Sequence, residues 1–234
     1  MKLADFIKIN TNYMRSINLE RDSDSNNVYP YIPTSRAIQT LARIAETINK
    51  NETPRSWALI GPYGSGKSAF GLFLDQLLSE PGTASSKHAR EVLRNADLNL
   101  AQKFDKTLNN TRGYCCINLT GSPESLGKRL IKATLAGARI FLGSRRGPVP
   151  NVVKGLEALL QSEFITTSDI IEHIAELQRS VHRAGGAGIL IIIDELGKFL
   201  EFDARHNNTS DIFLLQAIAE SAHKPNPIPL HFIV

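Results

Sequence analysis

The chain has 234 residues, 42% of them apolar and 21% charged, an ordinary composition for a globular protein that excludes the disordered and fibrous classes. Its 27 basic and 23 acidic residues leave a formal charge of +4, too mild to identify nucleic acid as a partner. The longest unbroken apolar run, residues 189–193, is far shorter than the roughly 20 residues of a membrane span. Asp5 and Lys8 interrupt the start where a signal peptide would be apolar, so a cytoplasmic protein with no membrane partner is expected. Cys115 and Cys116 are adjacent in an apolar run and build neither a disulfide framework nor a metal site alone; buried thiols are expected.

Residues 1–28 read as an N-terminal segment ending in the polar run 21–27, which has nothing apolar to bury and is expected to be partly mobile. Order resumes at Tyr29, where Pro30 and Pro33 impose an extended path. Thr34 or Ser35 can then cap a helix carrying Ala37, Ile38, Leu41, Ile44, Ala45 and Ile48 on one face. A polar loop, 51–56, leads into a short apolar strand at 57–60.

The next eight residues, Gly61-Pro62-Tyr63-Gly64-Ser65-Gly66-Lys67-Ser68, fit G-x-x-x-x-G-K-[ST] at every fixed position. Phe70, Phe73, Leu74, Leu77 and Leu78 follow at helical spacing. A strand, a glycine-rich turn and a helix in this order make a phosphate-binding loop: the glycines let backbone N–H groups turn inward, and the helix N-terminus adds partial positive charge. Lys67 would reach the β- and γ-phosphates, Ser68 would offer its hydroxyl to Mg²⁺, and Ala69 continues the first turn. The alternative is a plain glycine turn before a helix.

After a break at 81–86, residues 87–108 read as one or two amphipathic helices, and 113–120 as a second strand. Ser122, Pro123 and Ser125 predict a helix start with Pro123 in the first turn, continued by Leu126, Leu130, Ile131, Leu135, Ala138 and Phe141 to about Leu142. Lys128, Arg129, Lys132 and Arg139 lie along it, and Arg145 and Arg146 follow; a solvated helix face and a phosphate-backbone contact both remain open. Residues 143–150 read as a loop, 152–161 as a short helix, and a further helix begins near Ser168 and stops at Gly185-Gly186.

The run Ile189-Leu190-Ile191-Ile192-Ile193 is what a strand covered on both faces of a parallel sheet looks like, and it ends in Asp194 and Glu195. A helix from Ser210 or Asp211 to His223 and a strand at 230–234 complete the pattern. Strands alternating with helices predict an α/β fold, a three-layer αβα sandwich around a central, mostly parallel sheet, with ligands beyond the carboxyl ends of the strands. There Asp194 would hold Mg²⁺ directly or through water, and Glu195 would orient or deprotonate the attacking water.

Together these motifs resemble Walker A and Walker B of P-loop NTPases of the AAA+ and STAND type, the glutamate next to Asp194 favouring that division over kinases and GTPases. The segment Tyr31-Ile32-Pro33-x-x-Arg36-x-Ile38-x-x-Leu41 is similar to the stretch before Walker A in the Orc/Cdc6-like branch, which implies an adenine pocket lined by Tyr31, Ile32 and Arg36; a helix packed on the sheet is the alternative. The resemblance covers residues 29–234 and implies that 230–234 is the sensor 1 strand, with the chain an N-terminal piece of a longer protein. The interval 194 − 67 = 127 between Lys67 and Asp194 exceeds the usual AAA+ spacing, which implies helical insertions near 87–108 and 151–184. The expected activity is hydrolysis of ATP, since no guanine-reading Asn-Lys-x-Asp pattern is present, with Lys67 and Glu195 catalytic and an oligomer supplying an arginine finger in trans. A slow STAND-like switch and a DNA-associated loader are the competing expectations, and a further DNA or protein partner stays open.

Overall fold

A computed structural model of the chain describes residues 16–23, 28, 30–48, 54–143, 150–206 and 210–234. Its strands β1 (Ser56–Trp57), β2 (Tyr114–Thr120), β3 (Gly188–Asp194) and β4 (Leu230–Ile233) form one sheet in the order β1-β4-β3-β2, and every pairing is parallel. The β1–β4 ladder runs past the two assigned residues, through Phe232 N–H to Arg55 O, Val234 N–H to Trp57 O and Leu59 N–H to Val234 O. Of the strand expected at 57–60, Trp57 lies in β1 and the ladder bonds continue to Leu59.

Parallel neighbours require crossovers, and helices supply them. α1 (Leu19–Asp22), α2 (Ser35–Ile48), α3 (Lys67–Leu78), α4 (Ala84–Ala96) and α5 (Leu98–Leu108) contribute to one core, and α6 (Leu126–Leu142), α7 (Asn151–Gln161), α8 (Thr167–Arg183), α9 (Leu196–Arg205) and α10 (Ser210–His223) to a second. β3 divides them by alternation: Leu190 and Ile192 belong to the first core, Ile189, Ile191 and Ile193 to the second. Helices thus cover both faces, an arrangement compatible with a three-layer α/β sandwich.

The helices begin where local chemistry and tertiary contacts permit. Thr34 Oγ1 accepts from Ala37 N–H at the start of α2, and Thr166 and Asp169 make a reciprocal capping box on α8. α6 departs from expectation: Pro123 lies outside it, Ser125 makes no side-chain cap, and the buried Asp211 of α10 accepts the Leu126 N–H at 3.0 Å. The 87–108 region is two helices, broken at Asp97, whose side chain caps α5 through Leu100 N–H.

Two elements lie outside the expected pattern. α9 follows β3 at once, and only its Phe199 and Asp203 are buried, so it leaves little apolar periodicity to read. In the N-terminal segment, Leu19 is 1% exposed within the first core, and Asp22 accepts the Asn18 N–H, so 17–22 belongs to the folded body. Tyr29 and residues 24–27, 51–53 and 144–149, the last including Arg145 and Arg146, lie outside the described residues.

The first core also encloses polar groups. His231 on β4 is fully buried, its ring stacked on Trp57 and its Nε2 3.2 Å from Thr47 Oγ1. Burial, reinforced by the Arg55 guanidinium, pushes His231 down to about 3. Burial pushes Asp75 on α3 up to about 6, against the opposing hydrogen bond from Asn118. Both cysteine thiols are pushed up by burial, Cys115 to about 12.

A pH dependence follows from the sign of these shifts. Below its ordinary value of 6.5, His231 takes a proton in the unfolded chain that the folded chain refuses, so stability falls as pH drops toward about 3. Asp75 acts in the opposite sense between 3.8 and about 6, because the folded chain keeps its proton longer. His231→Phe preserves an aromatic ring against Trp57 and leaves Thr47 donating to the Ile44 carbonyl. Urea unfolding between about pH 4 and pH 7 should show wild-type stability falling more steeply toward acid than that of His231→Phe; parallel profiles would contradict the assignment.

Candidate functional site

The two sequence motifs lie on elements that pack against each other, α3 and β3. A Cβ built on Gly71 would lie 3.6 Å from Ile192 Cγ2 and 3.4 Å from Leu19 Cδ1, so the α3 backbone sits within one methyl group of the strand. From that contact, Ser68 is three residues, about 4.5 Å, back along the helix, and Asp194 is two residues, about 6.6 Å, forward along the strand. Both steps lead to the carboxyl end of the sheet. Asp194 alternates in phase with Leu190 and Ile192, so it projects on the α3 face.

Register gives the lateral spacing. Trp57, Ile233, Ile192 and Asn118 form one row across the sheet, and two residues on come Leu59, Asp194 and Thr120. The end of β1 and the acidic tip of β3 are thus separated by β4 alone, about 10 Å.

The loop between β1 and α3 is open. Pro62 to Gly66 are exposed, and Tyr63 is 93% exposed. Ser65 N–H donates to Pro62 O across a turn in which Gly64 has φ +79°, and Gly66 has φ +83° at the N-cap of α3. No side chain caps that helix, so its first-turn amides face the loop mouth without a side-chain acceptor. Lys67 folds over the loop: Nζ donates to Gly61 O at 2.8 Å, Pro62 O at 3.0 Å and Ser65 Oγ at 3.4 Å. Ser68 and Ala69 are half-buried in the first turn.

At the acidic tip, Glu195 has φ +54° and stands outside α9 as its N-cap. Its N–H donates to Asp194 Oδ1 at 2.9 Å, and Oε2 accepts from Lys198 Nζ at 2.6 Å. That ammonium is raised above its ordinary value by the hydrogen bond to Glu195 and by the charge of the same carboxylate. Thr120, paired with Asp194, has a buried Oγ1 with no hydrogen-bond partner among the described residues. Gly121 beside it has no room for a Cβ, which would fall on the Glu195 carbonyl.

The other expected site residues are placed as follows. Tyr31 stacks on Phe73 of α3 with centroids 4.4 Å apart, and burial pushes its hydroxyl up to about 12. Ile32 and Arg36 are exposed. Of the basic residues on α6, Arg129 pairs with Glu20 and Glu124, Lys132 with Glu124 and Arg139 with Glu157, which leaves little of that face for a phosphate backbone.

Lys198 and Thr120 escaped sequence reasoning. Thr120 could have been found from its place at the carboxyl end of a parallel strand, where ligands sit. Lys198 could not, because it lies on the helix that left no pattern.

The donors gathered here are backbone amides, an ammonium, a hydroxyl and a carboxylate, the hard set that suits phosphate with magnesium. Among the described residues no three His, Cys, Asp or Glu side chains gather to hold a metal, and none of the described helices is long and apolar enough to cross a membrane. Magnesium carried by phosphate asks only one or two protein oxygens, which Ser68 and Asp194 can give. Comparison with protein-family models, with curated proteins and with solved structures finds no match to this chain.

Gly64 and Gly66 are needed for conformation rather than space, because both have positive φ and a Cβ on either, as on Gly82 outside the loop, would meet nothing within 4 Å. Gly66→Ala should nevertheless cost about 1–2 kcal/mol in urea unfolding, the penalty of a left-handed alanine. Gly82→Ala, at ordinary φ, should change stability by less than about 1 kcal/mol. Equal effects would show that the loop is not held in the left-handed region.

Proposed function

We propose that the chain binds ATP with Mg²⁺ and hydrolyses it to ADP and phosphate, as a P-loop NTPase of the AAA+/STAND type that couples turnover to conformational change or assembly of a larger multidomain protein. The observation that supports this most is the close approach of Gly71 to Ile192, from which the glycine-rich loop and the acidic tip both run to one end of one face. The β1-β4-β3-β2 order adds support, since it leaves a single strand between them.

In this proposal the loop amides from Gly61 to Ser68 orient the phosphates, and the Lys67 ammonium exchanges its bonds to Gly61 O and Pro62 O for phosphate oxygens. Ser68 Oγ and Asp194 would hold Mg²⁺, which when bound neutralises charge on the phosphate oxygens. Glu195 would accept the proton of the attacking water on its carboxylate. Tyr31, against Phe73, and the exposed Ile32 and Arg36 would border the adenine. An oligomer supplying an arginine in trans is part of the same proposal.

A slow nucleotide switch is the second reading, favoured by the Glu195–Lys198 ion pair, which occupies the carboxylate that would activate water. The DNA-associated alternative rests on the α6 basic residues, three of which are paired within the chain.

Titration calorimetry and phosphate release on the full-length protein test the proposal. Lys67→Ala should weaken Mg·ATP binding by about tenfold or more. Glu195→Gln should bind like the wild type and hydrolyse about 100-fold more slowly. Equal hydrolysis by Glu195→Gln and wild type would remove Glu195 from the reaction.

A further inference from the structure

Resting on the nucleotide site proposed above, we infer that Lys198 is a specificity-determining residue that reads the outermost phosphate in cis, distinguishing a nucleoside triphosphate from a diphosphate. Three features carry this. First, the left-handed turn at Glu195 ends β3 abruptly and starts α9 in the next residue, so Lys198 comes one helical turn after the acid and on its side. Lys198 N–H donates to Glu195 O at 3.0 Å and Nζ to Oε2 at 2.6 Å, which fixes the ammonium over the strand tip.

Second, the two lysines hold different partners. Lys67 Nζ is bonded inside the loop to Gly61 O and Pro62 O, whereas Lys198 Nζ is bonded to Glu195 at the end of β3. A phosphate chain laid along the loop amides therefore meets Lys67 along its length. Its far end, the group a diphosphate lacks, is the one that Glu195 would face in the proposed reaction, and Lys198 is the ammonium bonded to Glu195.

Third, the ion pair is poised to exchange. The side chains of Lys198 and Glu195 are 54% and 38% exposed, so their pairing is solvent-screened and weak, and a phosphate dianion offers the ammonium a stronger acceptor. Transfer of Lys198 from Glu195 to phosphate would also free the Glu195 Oε2, linking arrival of a triphosphate to release of the carboxylate that takes the water proton. A surface pair at this spacing on any helix would look similar but would not engage the carboxylate proposed to take the water proton.

Binding of Mg·ATP and Mg·ADP to the full chain, measured by calorimetry for wild type, Lys198→Met and Lys198→Arg, decides the matter. Lys198→Met removes the charge from an exposed side chain of similar length and should fold. It should lower the ratio of ATP to ADP affinity by about tenfold, with ADP affinity itself within about twofold of wild type, and Lys198→Arg should restore most of the ratio. An unchanged ratio in Lys198→Met, or equal loss of both nucleotides, would overturn the role of Lys198 while leaving the nucleotide site intact. Failure of the wild type to bind either nucleotide would overturn the site and the inference together.

Discussion

The approach of α3 to β3 at Gly71 and Ile192 constrains everything around it. A glycine at this point lets the helix lie against the strand with Leu19 closing the remaining side, and a side chain much larger than alanine would have to displace one of the three. Because the helix starts at the loop and the strand ends at the acids, that single contact determines how far Ser68 lies from Asp194. The rest of the first core, from Leu41 and Ile44 on α2 to Phe104 on α5, holds the helix in this position rather than adding to the site.

The chemistry at the strand ends is organised by charge more than by shape. Lys67 belongs to the loop side and Lys198 to the α9 side, where it pairs with Glu195 next to Asp194. Glu20 adds a further acid at the same end, accepting from Thr120 N–H and pairing with Arg129, so the short α1 ties the N-terminal segment to the strand tips. A buried hydroxyl on Thr120 without a partner among the described residues, next to Asp194, is the kind of polar loose end that structures retain where a ligand or water is to be met.

How much of this could be read from the chain depends on how far apart the interacting residues are. The loop was legible because its glycines answer a local demand: Gly64 and Gly66 have positive φ, and the pattern encodes it directly. β3 was legible because five consecutive aliphatic residues fit only a strand buried on both faces. The start of α6 was misjudged at Pro123 because its cap, Asp211, comes from another helix 85 residues away. α9 was missed because so little of it is buried, and Lys198 went with it. Tyr31 is half-buried against Phe73, a contact that no local pattern announces.

The central claim is that one magnesium ion, held on a triphosphate, joins the glycine-rich loop to the acidic strand tip. A crystal structure of the full chain with Mg²⁺ and a non-hydrolysable ATP analogue tests it most directly. The account predicts the ion at about 2.0–2.1 Å from Ser68 Oγ and bound to the Asp194 carboxylate directly or through one water. A triphosphate bound away from the loop, or an ion out of reach of both residues, would contradict it.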